Sequence, residues 1–292
     1  MDIDDTNELP VDLNNATNTA ETQESSPAQE VGWSIDKGVE RENNQDSVAT
    51  ATLNQVSEDE AQSFGVYAVA DGMGGHEAGE VASKLAVRTA IRQLMTNVTE
   101  IDTEMPDSYQ SWLESAVTIA NQVVHHKAHE DSNTMGSTLV MAVVVGHDVH
   151  IVNVGDSRAY LISPDDIRQI THDQSFVQAL LDKGVITPEQ AATHPRRNVL
   201  LQSLGTNEQV SPDLFSETLD ANESLLLCSD GVWNMLGDAE IARIVRAADT
   251  PNAACQALVD ACNAAGGNDN IAAVLVRLGA SSQPSVGNAS VG

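Results

Sequence analysis

Four aspartates stand where apolar segments of the sequence end or turn, and three of them adjoin a glycine. They are Asp71 in Ala-Asp-Gly-Met-Gly-Gly-His, Asp156 in Val-Gly-Asp-Ser-Arg, Asp230 in Cys-Ser-Asp-Gly and Asp269 in Gly-Gly-Asn-Asp-Asn. Each follows or precedes an apolar run that would place it at the same edge of a buried sheet. Carboxylates gathered beside glycines suit a hard divalent cation such as Mg2+ or Mn2+. The pattern therefore predicts a metal centre, although any one of these aspartates alone would be an ordinary turn residue.

The segments between the aspartates group strands with strands and helices with helices. We predict strands over 31–37, 47–53 and 64–70, helices over 77–95 and 107–129, and a hairpin of 137–145 and 149–161. Polar helix-and-turn sequence over 171–209 precedes a strand over 224–228, helices over 238–248 and 252–264, and a last strand over 270–278. This order differs from the strict strand and helix alternation of a parallel doubly wound sheet.

The chain is strongly acidic, with 43 acidic and 14 basic residues and a formal net charge of −29. Such a field argues against nucleic acid or an anionic membrane surface as a partner. Residues 1–30 contain acidic but no basic residues, and we predict a disordered tail that either tethers a partner or keeps the protein soluble. A folded domain is predicted over 31–279 and a second disordered tail over 280–292. Neither a membrane span nor a signal peptide is evident, so we expect a cytoplasmic protein.

Six short motifs follow one another between residues 31 and 278. They are Arg41-Glu-Asn-Asn-Gln-Asp46-Ser, Asp71-Gly-Met-Gly-Gly-His76-Glu-Ala-Gly-Glu80, Gly136-Ser-Thr138, Gly155-Asp-Ser-Arg158, Ser229-Asp-Gly231 and Gly267-Asn-Asp-Asn270. In this order and spacing they resemble the metal-dependent Ser/Thr protein phosphatases of type 2C, in their bacterial form. Residues 173–205 resemble the mobile flap of that family.

The resemblance implies an α+β fold in which two antiparallel β-sheets form a sandwich flanked by α-helices, with a two-metal centre at one end. Asp71 would bridge two Mn2+ or Mg2+ ions, and the Gly72 carbonyl would bind one of them. Asp230 and Asp269 would complete the other ion's ligands. Asp156 and Asp230 match positions that hold a third, weaker metal in bacterial relatives.

The reaction implied is hydrolysis of phosphoserine and phosphothreonine in proteins by a metal-bridging hydroxide that attacks phosphorus in line. Asp46 would orient the metal-bound water, and Arg41 would grip the phosphate unless it is an ordinary surface charge. Met73 stands where eukaryotic members carry a His proposed as general acid. The proton for the leaving alkoxide would come from a metal-bound water or from His76, which could instead pack or bind substrate.

A covalent cysteine route is excluded by spacing. The positions six beyond Cys228, Cys255 and Cys262 lack the arginine of a Cys-x5-Arg motif, and the three thiols show no CxxC spacing. We therefore expect reduced, structural cysteines.

Two hypotheses of different classes remain. The first is an active phosphatase, a monomer that acts on phosphoproteins and reverses a Ser/Thr kinase. The second is a catalytically silent regulatory or binding module with the same fold, which loss of a metal-bearing aspartate would mark. Because Asp71, Asp230 and Asp269 are all present, the sequence favours the enzyme. Regulators of partner-switching systems are an alternative class of phosphoprotein substrate.

Overall fold

A computed structural model describes residues 26–56, 61–75, 77–100 and 107–279. These residues contain eleven strands and seven helices. The strands are β1 (Gln29–Asp36), β2 (Asp46–Val56), β3 (Ala61–Met73), β4 (Gly136–Ser137), β5 (Leu139–Val145), β6 (Asp148–Val154), β7 (Arg158–Ile162), β8 (Ile167–Gln169), β9 (Asp213–Thr218), β10 (Ser224–Cys228) and β11 (Ile271–Leu278). The helices are α1 (Ala78–Glu100), α2 (Asp107–Glu130), α3 (Phe176–Asp182), α4 (Pro188–Ala192), α5 (Asp230–Trp233), α6 (Asp238–Ala247) and α7 (Pro251–Ala264).

The strands form two antiparallel sheets that pack face to face. One sheet has the order β1-β11-β10-β7-β8, and the other has the order β2-β3-β5-β6-β9, with β4 added at the end of β3. Helices α1 and α2 cover the six-stranded sheet, whereas α6 and α7 cover the five-stranded one. The predicted α+β sandwich is confirmed.

Side chains that alternate between the two faces of a strand build the layers of the sandwich, and β11 is the clearest example. Its residues Ile271, Ala273 and Leu275 pack towards the helices, while Val274 and Val276 pack into the space between the sheets. Successive side chains of a strand point to opposite faces, so a strand that is apolar throughout is covered on both sides. The five-stranded sheet is therefore covered on both faces along β11.

The predicted strand over 149–161 is wrong in one respect, because it is two strands in different sheets. The chain leaves β6 at Val154 and enters β7 at Arg158. Gly155 makes this crossing with φ of 101°, and a Cβ there would lie 2.7 Å from Thr138 Cγ2. Only glycine fits both constraints. Asp156, the next residue, is placed at the end of the sandwich by this crossing.

Other elements differ less. The sequence prediction omitted the short β8, β9 and α5, and β1 begins at Gln29, two residues before the predicted start of the domain. Residues 1–25 and 280–292 lie outside the described residues, so the two predicted tails remain predictions. Within the described ranges, no helix is both long and apolar enough to cross a membrane.

The three cysteines are buried and free, as expected. Burial raises the thiol pKa of Cys255 and of Cys262 to about 12, and it also raises that of Cys228. A protonated, buried thiol is a poor nucleophile, so these residues serve packing.

Candidate active site

The predicted carboxylates meet at one end of the sandwich, around a cavity of about 270 Å³. Asp71 lies two residues before the end of β3, opposite Asp46 of β2. Asp230 begins α5, and Asp269 lies two residues before β11. The cavity is lined by Arg41, Gln45, Asp71, Gly72, Met73, Gly74, Thr138, Asp156, Asn198, Leu200, Asp230, Asp269 and Asn270. Every predicted site residue that the structure describes is in or next to this cavity. His76 lies outside the described residues.

The backbone of Asp71 is fixed from both sides by the segment that follows α2. Asp71 N donates to Thr138 Oγ1 at 2.8 Å, and Asp71 O accepts from Thr138 N at 2.8 Å and from Ser137 Oγ at 3.0 Å. Thr138 Oγ1 also lies 2.7 Å from Ser157 Oγ, at the crossing between β6 and β7. The backbone of Asp71, and with it the origin of its side chain, is thus held at a defined place.

Two buried carboxylate oxygens at the centre of the site have no hydrogen-bond donor among the described residues. They are Asp46 Oδ1 and Asp230 Oδ1. The other oxygens of these side chains do have partners, since Asp46 Oδ2 accepts from Ser229 Oγ at 2.6 Å and Asp230 Oδ2 from Asn234 Nδ2 at 3.2 Å. Both aspartates lie within hydrogen-bonding reach of the Asp71 carboxyl. Acceptors face acceptors here, which costs free energy unless a positive group lies between them.

The pKa values of the clustered aspartates reflect the same crowding of carboxylates. Burial, followed by the neighbouring carboxylates, raises the pKa of Asp71 well above its usual value. Burial also raises the pKa of Asp46 and of Asp156 to about 8 and that of Asp230 to about 6, and nearby aspartates add to each shift. Like charges crowded into a buried site disfavour ionisation. Divalent cations would reverse this preference.

The donor set fits hard cations that keep part of their water. Within the described ranges, no three His, Cys, Asp or Glu side chains could hold an ion by themselves, and Mg2+ commonly keeps several waters beside one or two carboxylates. Gly72 also lines the cavity. A Cβ on Gly79 would lie 2.7 Å from the Gly72 carbonyl oxygen, so glycine at position 79 permits this close approach.

Arg41 lies at the mouth of the cavity and is half exposed. Its Nη2 donates to Asp269 Oδ2 at 2.7 Å, and its Nε donates to Asn268 O at 3.4 Å. Asp269 Oδ1 accepts from Asn270 N at 2.8 Å. Arg41 is therefore more than a solvated surface charge, because an ion pair directs it to a predicted metal ligand.

Sequence reasoning assigned no role to Asn270, which organises the loop that carries Arg41. Its Nδ2 donates to the carbonyls of Lys37 and Asn43, each at 2.9 Å, and its Oδ1 accepts from Gln45 N at 2.8 Å. Thr138 and Ser229 were overlooked in the same way. All three are buried polar residues inside the quoted motifs. A polar residue that adjoins a predicted ligand inside a motif is the signal that could have found them.

Asp156 is supported by the partly buried side chains of Trp233 and Arg158. Trp233 Nε1 donates to Asp156 O at 3.0 Å, and the Arg158 guanidinium lies 3.7 Å from the centre of the Trp233 ring. Arg158 also forms a bidentate ion pair with Asp173, at 2.9 Å from Nε to Oδ1 and 2.6 Å from Nη2 to Oδ2. The crossing that carries Asp156 is thereby anchored to β7 and to the start of the flap-like segment.

The predicted flap, residues 173–205, contains α3 and α4 and closes one side of the cavity through Asn198 and Leu200. Arg196 stacks on Phe176 at 3.8 Å from the ring centre. His194 Nδ1 accepts from Arg196 N at 3.1 Å. These contacts join residues of the flap to one another, so His194 and Arg196 stabilise the flap itself.

The sequence is similar to known protein phosphatases. The family described as protein phosphatase 2C matches residues 39–276. The chain is 40% identical over 212 residues to the serine/threonine phosphatase stp of Listeria innocua, covering 71% of this chain and 82% of that protein. It is 35% identical over 253 residues to the protein phosphatase PhpP of Streptococcus pneumoniae, covering 85% and 97%.

A solved structure agrees in fold. The catalytic domain of the serine/threonine protein phosphatase PstP in complex with two manganese ions aligns with a TM-score of 0.72 and 31% identity, covering 86% of this chain and 99% of that domain. Relatives of this identity make the protein an active serine/threonine phosphatase, in preference to a catalytically silent module. The chain belongs to the protein phosphatase 2C family.

Proposed function

We propose that the cavity is the site where phosphoserine and phosphothreonine are hydrolysed, and that Asp71, the Gly72 carbonyl, Asp230 and Asp269 hold two Mn2+ or Mg2+ ions there. The proposal rests on two buried oxygens beside Asp71, Asp46 Oδ1 and Asp230 Oδ1, which have no hydrogen-bond partner within the described part of the chain. When bound, two such ions supply hydroxide at neutral pH and neutralise charge on the phosphoryl oxygens. Asp156 and Asp230 form a place for a third, weaker ion.

Asp46 orients the attacking water. Ser229 holds its Oδ2, so rotation of the carboxylate is restricted and Oδ1 faces the cluster. A fixed acceptor of this kind directs one lone pair of the water towards phosphorus by taking its hydrogen in a defined direction.

Arg41 binds the phosphate of the substrate. Two of its nitrogens are used by Asp269 and the Asn268 carbonyl, while the remaining N–H groups stay available at the half-exposed mouth of the cavity. Guanidinium donors match phosphate oxygens in pairs. The ion pair with Asp269 keeps the arginine oriented before substrate arrives.

Proton supply to the leaving alkoxide is assigned to a water or to His76, since Met73 lines the cavity and carries no transferable proton. The two candidate proton donors are distinguished by changing the leaving group of the substrate. If His76 is the acid, His76→Gln slows hydrolysis of a phosphothreonine peptide and leaves that of p-nitrophenyl phosphate unchanged, because nitrophenolate leaves without a proton. Equal rates on the peptide assign the role to water.

In the cell, we place the protein in the cytoplasm as a monomer that reverses the action of a Ser/Thr kinase on phosphoprotein substrates. Its net charge of −29 supports the further proposal that neither nucleic acid nor a membrane surface is a partner.

The decisive experiment is release of phosphate from a phosphothreonine peptide with Mn2+, after removal of metal, and by the Asp230→Asn variant. We expect activity only with metal, and a loss on the order of a hundredfold in the variant. Asp260→Asn, an exposed change on α7, is the matched control and should retain full activity. Metal-independent hydrolysis, or full activity of Asp230→Asn, would contradict the proposal.

A further inference from the structure

Two histidines on the last turns of α2 form a pair outside the carboxylate cluster. His125 is half-buried and His129 is exposed, and their Nε2 atoms lie 3.2 Å apart. The ring centres are 4.5 Å apart and the ring planes are inclined by 77°. Residues four apart share one face of a helix, which is why these two rings meet.

We propose that His125 and His129 are two ligands of a site for one borderline divalent transition-metal ion, such as Zn2+, Ni2+ or Cu2+. Imidazole nitrogens bind such an ion at about 2.0–2.1 Å, so two of them on one ion lie roughly 2.9–3.4 Å apart for bond angles of about 90–110°. The observed 3.2 Å falls within this range. Two histidines at positions i and i+4 of a helix are a recognised zinc-binding arrangement.

The surroundings favour a cation at this place. The C-terminus of a helix carries partial negative charge, and the whole chain is strongly acidic. The neighbouring Glu130 and Asp131 pair with His126 at 3.2 Å and with Lys127 at 2.7 Å. Because those two carboxylates already have partners, water completes the coordination of an ion held by the two histidines.

Ligand chemistry separates this site from the catalytic centre. The centre offers carboxylate and carbonyl oxygens, which suit Mg2+ and Mn2+, whereas the histidine pair offers imidazole nitrogens, which suit Zn2+, Ni2+ and Cu2+. In an excess of Mg2+ the carboxylate centre would be occupied by that ion and the histidine pair would be left to Zn2+. The histidine site does not depend on the proposed catalytic mechanism.

The bound ion would stabilise the helix end that leads into the cavity wall. Soon after α2 ends, Asn133 Oδ1 accepts from Met135 N at 3.1 Å, and Gly136 then pairs with Met73 of β3. An ion bound only by the folded state raises its stability by mass action. A simple hydrogen bond between the two rings would account for the distance without any metal, and this is the alternative that the experiment must separate.

The test is calorimetric titration of the untagged full-length protein with Zn2+ in excess Mg2+, with retention on a Ni2+-chelating resin as a second measurement. We expect one Zn2+ equivalent that weakens at least tenfold in His125→Ala and in His129→Ala. The matched control is His126→Ala, which removes an adjacent histidine outside the pair and should leave binding and retention unchanged. Asp230→Asn should also retain the equivalent.

Several results would overturn the proposal. If His125→Ala and His129→Ala bind Zn2+ as the unmodified chain does, the contact is only a hydrogen bond. If the equivalent disappears in Asp230→Asn instead, Zn2+ binds the carboxylate centre. Unchanged circular dichroism and unchanged Mn2+-dependent phosphatase activity in both alanine variants would show that a loss of Zn2+ binding is local. A variant that fails to fold is replaced by the corresponding Gln substitution.

Discussion

Ser229 donates a hydrogen bond of 2.6 Å from Oγ to Asp46 Oδ2, although 183 positions separate the two residues in the sequence. The same hydroxyl accepts from Ala272 N at 3.0 Å, so one serine joins the end of β10, the start of β2 and β11. Its position decides which oxygen of Asp46 remains free. Catalysis by Asp46 should therefore depend on a residue that need not touch the substrate.

Ser229→Ala should lower kcat on a phosphothreonine peptide about tenfold, with little change in KM. The loss of a buried hydrogen bond to a carboxylate leaves Asp46 free to rotate, and should also cost about 2 kcal/mol of unfolding free energy. Steady-state kinetics and urea unfolding measure the two effects. Ser34→Ala is the matched control, since the Ser34 hydroxyl bonds Gln256 at 3.2 Å, away from the site. A comparable fall in kcat in that variant would show that the effect is not specific to Asp46.

Asp230→Asn should stabilise the metal-free protein while it abolishes activity. Burial, followed by repulsion from Asp269, raises the pKa of Asp230 to about 6. Asn buries no charge at this position, so it removes both costs. We expect the metal-free variant to be on the order of 2 kcal/mol more stable near pH 8. Thermal melting after metal removal measures this. A lower melting temperature than that of the unmodified metal-free chain would contradict the repulsion account.

Stability of the metal-free protein should fall as pH rises from about 4 to about 8. The pKa values of Asp46 and Asp156 in the folded state are about 8, against 3.8 for the ordinary side chain. Below pH 4 both folded and unfolded states hold these protons, but above it the unfolded chain releases them first, which favours unfolding until the folded pKa is passed.

The corresponding measurement is the melting temperature at pH 5, 6.5 and 8, with Mn2+ and after exhaustive metal removal. Bound cations cancel the repulsion, so the gap between the two curves should widen with pH. A gap that stays constant or narrows would show that these carboxylates are not the groups that bind the metal.

Arg158→Lys should cost roughly 2–4 kcal/mol of unfolding free energy, because lysine cannot keep both arms of the ion pair with Asp173 or the stack on Trp233. Asp173 would then remain buried with a weaker partner. Urea unfolding checks the value. Arg243→Lys on α6 replaces an exposed arginine that pairs with Glu240, and should change stability by less than about 0.5 kcal/mol. Equal effects of the two changes would contradict the role assigned to burial.

Much of the fold could be predicted because each element carries its own period. Strand β11 and helix α7 are apolar in patterns that depend only on neighbouring positions, and their observed bounds lie within one residue of the prediction. The division of 149–161 into β6 and β7 could not be read in this way. The apolar pattern continues through the break, and the close approach that requires glycine at position 155 is to Thr138, a distant residue between β4 and β5.

The sequence alone determined the chemical type of the site, since the aspartates, their glycines and their order specify an oxygen-rich cation centre and a family. Tertiary structure alone decided how that centre is arranged. Among the described residues, it leaves Asp46 Oδ1 and Asp230 Oδ1 without a hydrogen-bond donor. It also brings the Ser229 hydroxyl to Asp46 and the Arg41 guanidinium to Asp269. The physical reason is that residue type and local period are properties of neighbouring positions, whereas burial and hydrogen-bond partners arise only when distant segments pack together.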